Sequence, residues 1–180
     1  LWTHINPYTN LAFKDDPVFV LAEITNENDL FSQRKNLNLE PYRSDLEKIY
    51  RKWAEENDLL VEAEYVDFLD ENNNDITRFF CRVLEDYYLE IIEHLREIGV
   101  KIPITGTNWS RNAALLSAQL VTDFTDTHNY WWKGDQREFS NLSMTDQVCN
   151  IINPLAFFKV PDKPLFISEW DQPWPNEWRA

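Results

Sequence analysis

Short apolar runs of strand length recur along the chain, separated by longer polar or helical stretches. The first run, residues 18–25 (VFVLAEIT), is rich in β-branched side chains and has few polar interruptions. Such a run is typical of a strand buried on both faces of a parallel sheet. Further strands are predicted within residues 101–105, 121–128 and 164–169.

Apolar residues between these runs recur at helical spacing instead. The strongest example is 76–98, where they return every three or four positions and Gly99 is placed to end the helix. Ser44 begins the sequence S-D-L-E, which matches a capping box and predicts a helix that runs to about Asn57. A shorter helix is predicted at 112–119. Strands thus alternate with helices, as in right-handed β-α-β units.

The number of predicted strands limits the architecture. A complete (β/α)8 barrel has eight strands and about 250 residues, whereas this chain has 180 residues and four predicted strands. The chain is therefore predicted to be an α/β protein that is either a small open sheet or part of a TIM barrel. Residues 1–180 are expected to form one domain, with a helical and loop insertion at about 30–74.

The acidic composition restricts the partners. The formal net charge is −14, with 31 acidic against 17 basic residues, which argues against nucleic acid and disfavours anionic membranes and polyanionic sugars. No apolar run is long enough to cross a bilayer. A neutral ligand fits this charge, although acidity that serves only solubility is an equal alternative. The eight tryptophans suit stacking on sugar rings as well as ordinary packing.

Two carboxylates follow predicted strands at equivalent positions. Glu27 comes after the first strand in I-T-N-E-N, and Glu169 ends the fourth in F-I-S-E-W. The carboxyl ends of parallel strands meet on one face, where α/β folds carry their active sites. Glycoside hydrolysis needs two such carboxylates, one to protonate the leaving oxygen and one to attack the anomeric carbon or activate water. Capping of the following helices is the alternative for both acids.

Side-chain alternation assigns a face to the residues of the first strand. If Glu27 points toward the cleft, Glu23 points the same way, while Val18, Val20, Ala22 and Ile24 face the helices. The inward charge of Glu23 is predicted to belong to a structural ion pair or hydrogen-bond network rather than to catalysis.

The third strand ends in D-T-H-N-Y, so Asp126, His128 and Tyr130 share one face. Histidine and tyrosine can donate hydrogen bonds that orient a carboxylate and keep it ionised. A lone histidine is more often a structural residue, but this one stands at a strand end beside tyrosine and tryptophan.

Taken in order, these motifs resemble those of clan A glycoside hydrolases, and most of all the family-five cellulase-like enzymes. The resemblance rests on N-E at Asn26 and Glu27, H-x-Y at His128 and Tyr130, and S-E-W around Glu169. It implies that the chain covers strands four to seven of a (β/α)8 barrel. It also implies a retaining, double-displacement mechanism, with Glu27 as catalytic acid/base and Glu169 as nucleophile supported by the H-x-Y pair.

The same resemblance assigns the remaining site residues and the substrate. Asn26 would bind the sugar 2-hydroxyl, Asn108 and Trp109 would line the cleft, and Trp170 would contact substrate or support the site. The implied substrate is a β-linked, neutral oligo- or polysaccharide, and the implied location is secreted or periplasmic. No cofactor is expected, and no metal, because the histidines have no ligand-like spacing.

Parts of the family pattern have no counterpart in this sequence. Strands one to three and strand eight are missing, and with them an arginine that supports the nucleophile and an aromatic floor of the catalytic subsite. The chain is therefore expected to be a fragment that is inactive by itself. It is also expected to self-associate through unpaired sheet edges at 18–25 and 164–169.

Two other functions remain open. A non-catalytic carbohydrate-binding barrel would keep the cleft but has no need of both Glu27 and Glu169, and hydrolysis assays on the full-length protein would separate it from an enzyme. A small doubly wound nucleotide-binding domain is the third possibility. The chain has three glycines and no G-x-G-x-x-G or phosphate-binding loop, which disfavours this possibility.

Overall fold

The strands of the computed structural model are short and associate in pairs. The structure describes residues 1–109, 111–130, 132–133, 138–139, 141, 143, 152–171 and 177. The strands are β1 (Ala22–Glu23), β2 (Ile104–Thr105), β3 (Thr125–Tyr130), β4 (Trp132–Lys133), β5 (Glu138–Phe139) and β6 (Leu165–Asp171). The α-helices are α1 (Arg34–Leu37), α2 (Tyr42–Glu56), α3 (Asn74–Glu97) and α4 (Ala113–Ala118). Helices of 3₁₀ type lie at Phe13–Asp15, Gln119–Val121 and Asn153–Phe158.

The predicted strands form two parallel pairs. β1 pairs with β2, and β3 pairs with β6. Between the pairs, the Asp123 N–H donates to the Ile104 carbonyl at 2.9 Å and the Thr105 hydroxyl donates to the Phe124 carbonyl at 2.8 Å. These bonds place β3 beside β2, but the two strands do not form a regular hydrogen-bond ladder. The four strands are therefore present as two parallel pairs, and the barrel fragment stays a prediction.

The first strand is much shorter than predicted. β1 has only two residues, because a turn bends the chain before it, although the N–H groups of Ile24 and Thr25 still donate to the Thr105 and Gly106 carbonyls at 3.0 Å. That turn is closed by the bond from the Phe19 N–H to the Asp16 carbonyl at 3.2 Å. Val18 and Val20 are 71% and 69% exposed. The expectation that the outward side chains face helices is therefore wrong for Val18 and Val20, whereas Ile24 packs against a cluster formed by α3 and α4.

The capping box predicted at Ser44 does not form. α2 begins at Tyr42, so Ser44 lies inside the first turn. Its hydroxyl donates to the Glu40 carboxylate at 2.6 Å, and its N–H points to the same carboxylate at 3.4 Å. Glu40, which precedes the helix, thus satisfies a first-turn donor.

α3 is the longest element of the described chain and organises the core. Asn73 caps it by accepting the N–H groups of Asp75 and Ile76 at 3.0 and 3.1 Å. The chain leaves the helix at Gly99, whose φ is +93°. The predicted insertion packs on α3 through a buried, largely aromatic cluster: Leu46, Tyr50, Val66, Phe68, Ile76, Phe79 and Phe80. The insertion therefore shares one core with this helix.

A close aromatic contact joins α3 to the β1–β2 pair. The fully buried ring of Tyr88 lies over Gly106, which directly follows β2. A Cβ at Gly106 would come within 2.6 Å of this ring, so only glycine allows the helix and the strand to approach this closely. The contact fixes the end of β2, two residues before Asn108.

The remaining elements follow β3 in the sequence. β4 and β5 pair antiparallel as a short hairpin, and the 3₁₀ helix at Asn153–Phe158 precedes β6 with a proline in its first turn. In the described residues no helix combines the length and the apolar character needed to cross a bilayer.

Candidate active site

The carboxyl ends of β1, β3 and β6 bring the predicted catalytic side chains together. Glu27 lies in the loop after β1, His128 lies near the end of β3, and Glu169 lies on β6. Side-chain oxygens of the two glutamates and a ring nitrogen of His128 are all within 4.8 Å of one another. Both glutamate side chains are 38% exposed, so a ligand from solvent can reach them.

His128 bridges the two glutamates. Its ring is buried, with Nδ1 3.1 Å from Glu27 Oε1. Its Nε2 lies 3.0 Å from Ser168 Oγ and 3.4 Å from Glu169 Oε1. A neutral imidazole has one donor and one acceptor nitrogen. The tautomer of His128 therefore couples the hydrogen bonding of the two carboxylates.

The end of β3 is held from two sides. The Tyr130 hydroxyl donates to Glu169 Oε2. Arg111 donates through Nη2 to the His128 carbonyl at 2.7 Å and to Asn129 Oδ1 at 2.6 Å. Glu169 thus receives a donor on one carboxylate oxygen, while Arg111 holds the backbone that carries His128.

Asn108 lies beneath the loop that carries Glu27. It is 1% exposed, accepts the Glu27 N–H at 2.9 Å, and donates to Asn26 Oδ1 at 2.9 Å and to Ser168 Oγ at 3.4 Å. Glu27 has a positive φ of 49°, which is unfavourable for a residue with a Cβ. The bond to Asn108 therefore stabilises a strained backbone. The side chain is buried and already engaged, so its contacts support the Glu27 loop, and its predicted place in the cleft wall stays a prediction.

Three other predicted residues differ in how accessible they are. Asn26 is exposed and Trp109 is partly buried. Trp170 is 43% exposed, but it directly follows Glu169 in β6, and successive strand side chains point to opposite faces. Asn26 is therefore accessible to a ligand beside Glu27, whereas Trp170 points to the other face of β6 from Glu169, and the roles predicted for both residues stay predictions.

Glu23 faces the same cluster from β1. Burial, followed by the negative charges of Asp126, Glu169 and Glu27, raises the pKa of Glu23 from 4.5 to about 8. Its Oε1 is buried and has no hydrogen-bond partner among the described residues. The predicted ion pair or hydrogen-bond network is therefore wrong for this part of the chain, because the groups that face Glu23 are other carboxylates.

Asp126 is buried beneath the site at 1% exposure. Burial raises the pKa of its carboxyl group, and hydrogen bonds from Ser168 and Thr127 oppose that rise. Its Oδ1 accepts the Ser168 N–H at 2.9 Å and the Thr127 N–H at 2.7 Å. In the sequence, alternation along the third strand gives Asp126 a face of the strand but no function. No sequence motif points to Ser168 or Arg111 as site residues.

The central side chains could also hold a metal ion. Carboxylate oxygens and imidazole nitrogens are ligands for Zn²⁺ and other divalent cations. Glu27, His128 and Glu169 each offer one such atom, all within 4.8 Å. Spacing along the sequence does not reveal this set, because the residues come from three separate elements.

Comparison with known proteins yields no relative of this chain: no protein-family model, curated protein or solved structure matches it. The resemblance to clan A glycoside hydrolases therefore rests on the N-E, H-x-Y and S-E-W motifs. The functional assignments drawn from that resemblance stay predictions.

Proposed function

We propose that this chain carries the acid/base and the nucleophile of a retaining glycoside hydrolase that acts on β-linked, neutral oligo- or polysaccharides. The observation that carries the proposal is the meeting of Glu27 and Glu169, whose side-chain oxygens lie within 4.8 Å of each other beside His128. Retaining enzymes hold their carboxyl groups about 5–5.5 Å apart, whereas inverting enzymes leave about 6.5–9.5 Å for a water molecule. The separation favours the retaining mechanism.

Each glutamate has a defined role in this mechanism. Glu27 donates its proton to the glycosidic oxygen while Glu169 attacks the anomeric carbon, so the leaving group departs as an alcohol and a glycosyl ester forms on Glu169. In the second half, the Glu27 carboxylate takes a proton from water. The water oxygen bonds to the anomeric carbon, and Glu169 leaves as a carboxylate, which restores both groups.

The neighbouring side chains support this movement of charge. Tyr130 donates to Oε2 of Glu169 and so orients the attacking carboxylate. His128 contacts both glutamates, and negative charge moves from Glu169 to Glu27 when the ester forms. A hydrogen on Nδ1 of His128 would stabilise Glu27 in that charged state.

The charges around the site restrict the substrate. The negative charges of Asp126, Glu169 and Glu27 all act on Glu23 there. Arg111 is the cation beside these acids in the described chain. Its Nη2 donates to the His128 carbonyl and to Asn129 Oδ1 in β3. A polyanionic sugar would meet repulsion from this cluster, whereas the hydroxyl groups of a neutral sugar can donate to it. These features support a neutral substrate.

A divalent metal site is a second candidate function for the same side chains. Glu27, His128 and Glu169 form a three-ligand set, and Zn²⁺ binds such atoms at about 2.0–2.2 Å. A metal requires the three atoms to draw together around the ion, whereas double displacement requires the glutamates to act on a sugar between them. A chelator such as EDTA should leave the proposed hydrolysis intact and abolish a metal-dependent activity.

Azide rescue tests the two catalytic roles in the full-length protein. Dinitrophenyl β-glycosides are suitable probes, because their leaving group needs little protonation. Glu169→Ala should abolish turnover, and any product that azide restores should have inverted configuration. Glu27→Ala should keep the first step, and azide should restore turnover with retained configuration. NMR of the glycosyl azide identifies the anomer.

An exposed acid supplies the matched control. Glu62 is exposed in the loop after α2, and Glu62→Ala should keep both the turnover and the configuration of the wild type. The opposite azide pattern would reverse the two roles, and a wild-type product of inverted configuration would remove the nucleophile role of Glu169. Sugar binding without hydrolysis would favour a non-catalytic carbohydrate-binding barrel.

A further inference from the structure

An extra residue interrupts the pairing of β3 with β6 just before the proposed nucleophile. Asp126 pairs with Phe166, and His128 pairs with Glu169, so β6 has one residue more than β3 between the two pairs. This is a β-bulge, a feature that bends a strand and re-aims its side chains, and it is rare between parallel strands.

The bulge lets two consecutive side chains of β6 face the same partner. Ser168 Oγ lies 3.0 Å from His128 Nε2, and Glu169 Oε1 lies 3.4 Å from the same nitrogen. In a regular strand, consecutive side chains point to opposite faces. The shared contact with His128 therefore depends on the extra residue.

A buried carboxylate holds the bulge in place. A bulge leaves its extra residue without a partner in the ladder, and here the Ser168 N–H donates instead to Asp126 Oδ1 at 2.9 Å. The same oxygen accepts the Thr127 N–H at 2.7 Å. Asp126 is 1% exposed, so water competes little for these bonds. One side chain thus ties the bulge to the strand that carries His128 and Tyr130.

We propose that Asp126 is a positioning residue: by holding the β-bulge of β6, it sets Glu169 against His128 and Tyr130. The role of Glu169 as nucleophile rests on the proposed function, whereas the hold of Asp126 on the bulge does not. Without this acceptor β6 can return to regular pairing. A slip of one residue moves each side chain to the other face of a strand, so Ser168 and Glu169 could no longer both face His128.

Three substitutions at Asp126 separate the position of the acceptor from its charge. Asp126→Asn keeps an oxygen that can accept both N–H groups, Asp126→Ala removes the acceptor, and Asp126→Glu keeps the charge but moves the carboxylate by one methylene. Asn73→Ala is the matched control. Asn73 also accepts two backbone N–H groups, those of Asp75 and Ile76, at the start of α3.

The ring-nitrogen NMR signals of His128 report the bulge without requiring any activity. They are assigned by their loss in His128→Gln. Asn73→Ala should keep the wild-type shifts. Asp126→Asn and Asp126→Ala both remove a charge that acts on His128, so the difference between them reports the acceptor: Asp126→Ala should change the shifts further, because Ser168 and Glu169 no longer both face Nε2. If Asp126→Ala fails to fold, Asp126→Glu replaces it as the test of the inference, and it should change the His128 shifts as well. Wild-type shifts in the folded variant would overturn the inference.

Kinetics of the full-length protein with dinitrophenyl β-glycosides test the consequence for the reaction. Asp126→Ala should lower kcat about 100-fold, with KM within about twofold, because the nucleophile is misplaced while the sugar site remains. Asp126→Asn should recover most of kcat. An equal loss of kcat in Asn73→Ala would indicate general destabilisation and overturn the positioning role. A wild-type protein without hydrolysis would refute the proposed function, and the NMR measurement would still decide the role of Asp126 in the bulge.

Discussion

Replacing Glu23 by glutamine should remove a pH-dependent loss of stability. The pKa of Glu23 is raised from 4.5 to about 8 by burial and by the charges of Asp126, Glu169 and Glu27. Between these two values the folded chain keeps the Glu23 proton, while the unfolded chain loses it. The free energy of unfolding therefore falls as pH rises through this window, and the loss is complete above about pH 8.

The size of the effect follows from the width of the window. One pKa unit corresponds to about 1.36 kcal/mol, so the rise from 4.5 to about 8 gives at most roughly 5 kcal/mol. Glu23 is only partly buried, and solvent screening at such a position reduces this to about 2–3 kcal/mol. Glutamine resembles the protonated side chain but cannot ionise. Any cost of burying its amide is the same at every pH and cancels in the comparison.

Urea unfolding followed by tryptophan fluorescence measures this difference. Wild type, Glu23→Gln and the control Glu62→Gln, which removes an exposed carboxyl group, are compared at about pH 5, 7 and 9. The stability of Glu23→Gln relative to wild type should grow by about 2–3 kcal/mol across this range, and that of Glu62→Gln should not. A relative stability of Glu23→Gln that stays constant within about 0.5 kcal/mol would mean that Glu23 ionises equally in both states, and would refute the reasoning.

Two further substitutions test contacts around the site. Gly106→Ala should lower the free energy of unfolding by about 1–3 kcal/mol, because a Cβ there meets the buried Tyr88 ring at 2.6 Å. Urea unfolding checks this, and a change below about 0.5 kcal/mol would show that the ring can move aside. Tyr130→Phe should lower kcat of the full-length protein about ten- to hundredfold, with a smaller change in KM, since Glu169 loses a hydroxyl donor. Steady-state kinetics with dinitrophenyl β-glycosides measures this, and an unchanged kcat would contradict it.

Elements determined by local contacts were predictable from the sequence. The helix predicted at 76–98 is α3, because its apolar residues recur on one face and Gly99 stands where the chain must take a positive φ. Alternation along the predicted first strand places Glu23 and Glu27 on one side, and in the structure the charge of Glu27 acts on Glu23, although Glu27 lies in the loop after β1. What alternation cannot supply is the list of groups that face Glu23 from other strands.

Contacts between segments that are distant in the sequence could not be predicted from it. Asn108 binds Glu27 and Asn26, which lie 81 and 82 residues earlier in the chain. No local sequence pattern therefore predicts that Asn108 is buried. Ser168 is a sharper case, because the period of two places it opposite Glu169. The bulge that reverses this depends on Asp126, 42 residues away.

At Glu27, the left-handed backbone makes the requirements for stability and for the proposed activity conflict. A φ of 49° costs a residue with a Cβ about 1–2 kcal/mol, whereas glycine adopts it almost freely. Glycine at this position would therefore relax the loop and at the same time remove the proposed acid. Selection of variants for thermal stability alone would favour that replacement, so a stabilisation campaign on this protein must exclude position 27 from its library or select for turnover as well.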